Sequence, residues 1–156
     1  MSDKDGKFNK PERGSSPLPD HIMLSFWGDA KTSAAISWRT DENSGDSYIL
    51  YRREGSADLL RQGAVTRFAE TDIDRSNYHW VRLSGLEPGC KYCYTVGDDE
   101  HRSGEFTFET EPEKLDKFSF IVISDHQKGS PCHLPDYSMV GEMLKTALAK
   151  HPECRF

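Results

Sequence analysis

The sequence has few cysteines, no long hydrophobic run and no excess of basic residues, and each of these absences excludes a class of protein. Four cysteines in 156 residues are too few for a disulfide-dense small domain. No run approaches the roughly 18 consecutive apolar residues of a membrane-spanning helix, and no secretory signal is visible. The 20 basic and 26 acidic side chains leave a formal charge of −6, which argues against a nucleic-acid interface.

Motifs of several enzyme classes are also absent, including a Gly-rich phosphate loop, a Gly-x-Ser-x-Gly turn and a His-Glu zinc helix. Cys90 and Cys93 have CxxC spacing, which suggests zinc or redox chemistry. In a strand, however, residues i and i+3 point to opposite faces and lie about 10 Å apart, which excludes a shared metal or disulfide. His21, His79 and His101 are scattered along the chain, and we expect each to be a surface or half-buried residue rather than a ligand.

Short alternating segments separated by turn residues fill the chain from residue 19 to residue 111. The pattern predicts about seven antiparallel strands and therefore a β-sandwich. Residues 1–18 are polar and rich in Pro, Gly and Ser, which predicts a disordered tail. The predicted strands lie at residues 21–26, 35–39, 48–51, 65–69, 78–83, 91–96 and 105–109.

Alternation within the strands predicts which side chains form the core. Ile36 and Trp38 face opposite to their strand neighbours, and Trp38 is expected to be buried. In the first strand, Ile22, Leu24 and Phe26 share one face.

The pattern changes after residue 111. Residues 112–117 are charged and predict a linker, and residues 118–123 are nearly continuous in apolar residues, which is typical of a strand buried in a parallel sheet. After a polar loop, Asp136 is a candidate N-cap for a helix to about Lys150. Because a parallel strand needs a neighbour, we interpret residues 118–156 as the truncated start of an α/β domain.

Asp125 is the strongest candidate for chemistry. It follows the carboxyl end of the predicted strand, where open α/β sheets place their ligand sites. A carboxylate there suits a hard or borderline metal ion, and His126, Gln127 and His133 offer further donors. The alternative is an Asp that caps backbone amides of its own loop.

The order of these segments resembles the purple acid phosphatases and related calcineurin-like metallophosphoesterases. The resemblance rests on the stretches 19–26, 32–38, 79–89 with Tyr92 and Tyr94, 106–108 and 118–127. It implies a fibronectin type III-like N-terminal domain over residues 19–111, in which a Tyr hydroxyl bonds back to nearby backbone. A catalytic domain would begin at residue 118.

The resemblance also implies a function. Family members hydrolyse phosphoesters at a dinuclear metal centre of Fe, Zn or Mn, and Asp125 holds the position of their first metal ligand. Ser124 and Gln127 depart from the Gly-Asp-x-His pattern common in this superfamily. No catalytic residue is assigned within this chain, because the family's later ligand blocks are not among its residues, so the fragment itself is expected to be inactive.

One alternative function remains open, a non-catalytic fibronectin-like binding module in which the sandwich is the functional unit. The sequence leaves the metal pair, the choice between monoester and diester substrates, and the oligomeric state undetermined. It leaves the localisation undetermined as well, although the family is often secreted.

Overall fold

A computed structural model describes residues 14–71, 74–124 and 137–154 of the chain. The described residues divide between two compact units, one within Arg13–Lys114 and one that includes Leu115–Phe156. None of the helices in these described ranges is long and apolar enough to cross a membrane.

The first unit is a sandwich of two four-stranded antiparallel sheets. One sheet has the strand order β1-β2-β6-β5 and the other has the order β4-β3-β7-β8. Two consecutive long strands, β2 and β6, pair over nine residue pairs at the centre of the first sheet. The strands are β1 (Asp20–Ser25), β2 (Ser33–Asp41), β3 (Tyr48–Arg53), β4 (Leu60–Gly63), β5 (Val65–Glu70), β6 (Arg75–Ser84), β7 (Lys91–Gly97) and β8 (Phe106–Glu109).

The core lies between the two sheets and is built by alternation along the strands. In β6 the inward side chains His79, Val81 and Leu83 are buried, whereas Tyr78 and Arg82 on the opposite face are exposed. The same period of two is what places apolar residues on one face of a pleated strand. The buried core cluster comprises Ala34, Ile36, Trp38, Ile49, Val81, Leu83, Leu86, Tyr92, Tyr94, Val96 and Phe108.

All seven predicted strands are present, and an eighth, β4, was not predicted. β4 has only four residues, and three of them are exposed. A short edge strand that buries almost no side chain needs no alternation of apolar and polar residues, so the usual sequence signal of a strand is missing.

The first strand is only partly covered by the core. Ile22 packs against the core, but Leu24 and Phe26, predicted to share its face, are 49% and 64% exposed. β1 is an edge strand, and its pairing with β2 is irregular between Asp20 and Met23. Leu24 pairs with the buried Ile36 and therefore shares its face, but at the edge of the sheet it is only partly covered.

The second unit does not contain the predicted β-strand. Residues 118–123 adopt no regular secondary structure, and Phe120 and Val122 are 53% and 77% exposed. A strand in a parallel sheet needs a hydrogen-bonded neighbour, and none is present among the described residues of this unit. The prediction of a buried strand here is therefore wrong for this structure.

The predicted helix is present as α1 (Ser138–Lys150), with Tyr137 as its N-cap residue rather than Asp136, which lies outside the described residues. The apolar positions recur at helical spacing, yet none of the helix residues is buried. Met139 is 81% exposed and Met143 is 48% exposed. The apolar stripe of the helix is therefore not buried by any residue in the described ranges.

Candidate functional site

The predicted metal ligand Asp125 lies outside the described residues. The same holds for the neighbouring donors His126, Gln127 and His133. Within the part of the chain that the structure describes, no group of three or more His, Cys, Asp or Glu side chains could hold a metal ion. The described residues therefore do not fit a dinuclear metal centre, and no chemical step is assigned to them.

The two cysteines of the CxxC pair do not form a disulfide. Cys90 and Cys93 are both free thiols, and they differ in environment, since Cys93 is buried and Cys90 is half-buried. Only Cys93 lies within β7, where it pairs with Arg52 and Thr107. Cys90 precedes β7, so the strand geometry considered from the sequence applies only to Cys93.

The turn before β7 carries a tyrosine corner. The backbone N–H of Glu87 donates a hydrogen bond of 2.9 Å to the hydroxyl of Tyr92, whose ring is buried. Tyr92 also stacks on Phe108 with ring centroids 5.4 Å apart. This is the backbone contact that the resemblance to fibronectin type III domains implied, and it fixes the turn against the core.

A buried polar network surrounds Trp38 in the middle of the sandwich. Trp38 Nε1 donates to Ser47 Oγ at 2.9 Å, and the indole stacks on the imidazole of His79 at 5.5 Å. His79 is fully buried, with Nε2 2.7 Å from Thr40 Oγ1 and Nδ1 2.8 Å from Thr66 Oγ1. Burial lowers the pKa of His79 from 6.5 to about 4, so the ring is neutral near pH 7. Its two hydroxyl partners position it as a structural residue.

A second polar network joins the start of β1 to the turn before β6. The guanidinium of Arg39 contacts Asp20 at 2.5 Å and Asp74 at 2.8 Å. Burial opposes the ionisation of Asp74, but hydrogen bonds from Ser15 and Ser76 and the charge of Arg39 hold the pKa of this carboxyl below its usual value. Sequence spacing does not reveal this network, because its members lie 19 and 35 residues apart.

The N-terminal segment is part of this second network. The backbone N–H of Ser15 donates to Asp74 Oδ1 at 2.9 Å, and the N–H of Asp41 donates to the carbonyl of Ser16 at 2.9 Å. Residues 15 and 16 thus add hydrogen bonds at the end of the sheet where β2 ends and β6 begins.

An open cavity of about 510 Å³ lies beside β3 and β4. The guanidinium carbons of Arg61 and Arg102 lie 3.7 and 4.5 Å from the centroid of the Tyr48 ring, and the Tyr48 hydroxyl donates to Asp99 at 2.5 Å. Cationic and anionic side chains lie side by side around this cavity, so its charge favours neither an anionic nor a cationic ligand. The cavity is lined by Gly45, Asp46, Ser47, Tyr48, Arg61, Gly63, Ala64 and Thr66.

Residues 110–113, which we name the exit segment, leave the sandwich after β8. The backbone N–H of Glu111 donates to the carbonyl of Ala30 at 3.1 Å. Glu113 lies 3.7 Å from the ammonium group of Lys31. The exit segment is therefore hydrogen-bonded to the loop between β1 and β2 rather than extending freely into solvent.

The fold has solved neighbours among β-sandwich domains. A computationally redesigned β-sandwich protein is 16% identical, with 62% of this chain and 97% of that chain covered and a TM-score of 0.44. The third fibronectin III domain of the human KIAA0343 protein is 14% identical over 70% and 93% of the two chains, with a TM-score of 0.41. The fn3 domain of human collagen alpha-1(XX) is 17% identical over 71% and 97%, with a TM-score of 0.37. No curated protein matches the chain.

The family assignment comes from the sequence of the sandwich itself. The family model of the purple acid phosphatase N-terminal domain matches residues 19–110. This range begins one residue before β1 and ends one residue after β8, so it spans every strand of the sandwich. The chain therefore belongs to the family of purple acid phosphatase N-terminal domains.

Proposed function

We propose that this chain is the N-terminal part of a metal-dependent phosphoester hydrolase, in which the sandwich itself is non-catalytic. The family match over residues 19–110 carries the proposal. The contacts of His79 support a non-catalytic role for this residue, because both ring nitrogens are hydrogen-bonded to threonine hydroxyls within the sandwich. The phosphoester substrate and the Fe, Zn or Mn ions are proposed from family membership.

Asp125 is proposed as one ligand of the dinuclear metal centre. When bound, such a centre lowers the pKa of a coordinated water and stabilises the phosphoryl oxygens. The residues that would complete it are not found among the described residues of this chain. The proposal therefore expects residues 1–156 to lack phosphatase activity.

The test compares the 156-residue chain with the product of the complete open reading frame. Both are assayed with p-nitrophenyl phosphate and bis-p-nitrophenyl phosphate after addition of Mn, Zn or Fe salts. We expect no metal-dependent turnover from residues 1–156 and clear turnover from the complete product. Turnover by the 156-residue chain alone would contradict the proposed division of labour.

The assignment of Asp125 has its own matched control. Asp125→Asn in the complete product is expected to lower both the bound metal content, measured by elemental analysis, and the turnover. Asp116→Asn, an exposed aspartate nine residues earlier, should change neither. Equal metal content in the two variants would remove Asp125 from the centre.

A second candidate function is a non-catalytic binding module, in which the sandwich is the functional unit. The absence of a strand at residues 118–123 favours it, since a catalytic α/β domain needs that strand as its start. A complete product without metal-dependent turnover, in an otherwise folded state, would favour the module.

A further inference from the structure

The four edge strands of the sandwich differ in how they are protected against pairing with another chain. β1 follows Pro19 and has an irregular register between Asp20 and Met23. β4 and β8 have four residues each. Irregular pairing, proline and short length are three of the devices by which natural edge strands avoid pairing with other chains.

β5 has none of these devices. Its six residues pair with consecutive residues of β6 without a register shift, and it pairs with no other strand in the described part of the chain. Five of the six residues are exposed, and the strand contains no proline and no lysine. It therefore presents a regular, accessible row of backbone donors and acceptors.

We propose that β5 pairs antiparallel with β5 of a second copy of this chain, about a twofold axis that passes between the two Phe68 residues. Side chains that lie opposite each other in an antiparallel pair point to the same face, so only registers in which the paired residue numbers sum to an even value are allowed. Two such registers pair five of the six residues, with Arg67 or Phe68 opposite its own copy, whereas registers centred on Thr66 or Ala69 pair only three.

Charge and overlap select the register centred on Phe68. Centring the pair on Arg67 places two guanidinium groups directly opposite each other, which is destabilising. Centring it on Ala69 shortens the overlap and places Phe68 opposite Glu70. Centring it on Phe68 pairs two aromatic rings, each 46% exposed in the single chain, and places Arg67 opposite Ala69. The last register is therefore self-complementary, as a twofold interface requires.

The test is sedimentation equilibrium of the 156-residue chain from about 1 µM to about 500 µM, the range in which small interfaces associate. We expect the mass to rise from one copy to two over this range. A mass that stays at one copy at every concentration would overturn the proposal.

A charge pair at residue 69 tests the register. Ala69→Lys places a lysine opposite Arg67 twice per dimer and should raise the dissociation constant at least about tenfold. Ala69→Glu is the matched control and should lower it. The double variant Arg67→Glu with Ala69→Lys restores opposite charges and should recover the dimer. Urea midpoints measured at low concentration show whether each variant still folds. If both single variants fold and change the dissociation constant equally, this register is contradicted.

Discussion

Protonation of His79 should make the sandwich less stable between pH 7 and pH 5. The ring is fully buried against Trp38, and burial lowers its pKa to about 4 from the usual 6.5. The unfolded chain therefore binds this proton at a higher pH than the folded chain does. The stabilisation is fully present above pH 6.5 and is lost as the pH falls towards 4.

The two pKa values set the size of the effect. Linkage between them gives a loss of about 2 kcal/mol in the free energy of unfolding between pH 7 and pH 5. Within the described residues, the charge of Asp98 opposes this shift, and its effect on the pKa of His79 is smaller than that of burial. The Thr40 hydroxyl can accept a hydrogen bond from Nε2 and the Thr66 hydroxyl from Nδ1, so the protonated ring keeps both partners. Desolvation of the charged ring, rather than a lost hydrogen bond, therefore causes the loss of stability.

Urea denaturation of the 156-residue chain at pH 7, 6 and 5 measures this loss. His79→Gln keeps a polar side chain but cannot titrate, so its stability should vary much less over the same range. His101→Gln, at a histidine whose side chain is 38% exposed, should retain the wild-type dependence. A His79→Gln variant with the wild-type slope would refute the assignment of the effect to this ring.

Three further substitutions test other contacts of the sandwich by urea denaturation at pH 7. Tyr92→Phe removes the acceptor of the Glu87 N–H and should cost about 1–2 kcal/mol, whereas an unchanged midpoint would contradict the corner's contribution. Arg39→Ala leaves the buried Asp74 carboxylate without its cation and should lower the free energy of unfolding by about 3 kcal/mol. The double variant Arg39→Ala with Asp74→Asn should lose less stability than Arg39→Ala alone, and a larger loss in the double variant would refute the pairing. Gly97→Ala places a Cβ 2.1 Å from the carbonyl oxygen of His101 at a φ of +135°, and should cost about 3 kcal/mol or prevent folding; a neutral result would exclude that close approach.

Alternation and turn chemistry were enough to predict the sandwich, because its strands have one buried face and one exposed face. Trp38 and Val81 follow that rule, and both are nearly inaccessible to solvent. The tyrosine corner could also be predicted from the sequence, since a Pro-Gly turn fixes the position of Tyr92 relative to Glu87. Each of these features depends on residues that are close together along the chain.

The features that sequence did not predict depend on distant residues or missing neighbours. Arg39 meets Asp20 and Asp74 only after three strands have paired, so no local spacing marks the network. Residues 118–123 have the composition of a buried strand, but composition does not supply the neighbouring strand that would hold one. The prediction at Asp125 depends on that strand and stays a prediction.

The hydrogen bonds of the exit segment have a consequence for how the chain can be altered. Glu111 and Glu113 contact the loop that contains Ala30 and Lys31, so the chain is attached to the sandwich as far as residue 113. Insertions of Gly and Ser residues after Lys114 should lengthen the reach of whatever follows without lowering the melting temperature of the sandwich. The same insertions placed between residues 110 and 111 would disrupt the hydrogen bond from Glu111 to Ala30 and lower the melting temperature.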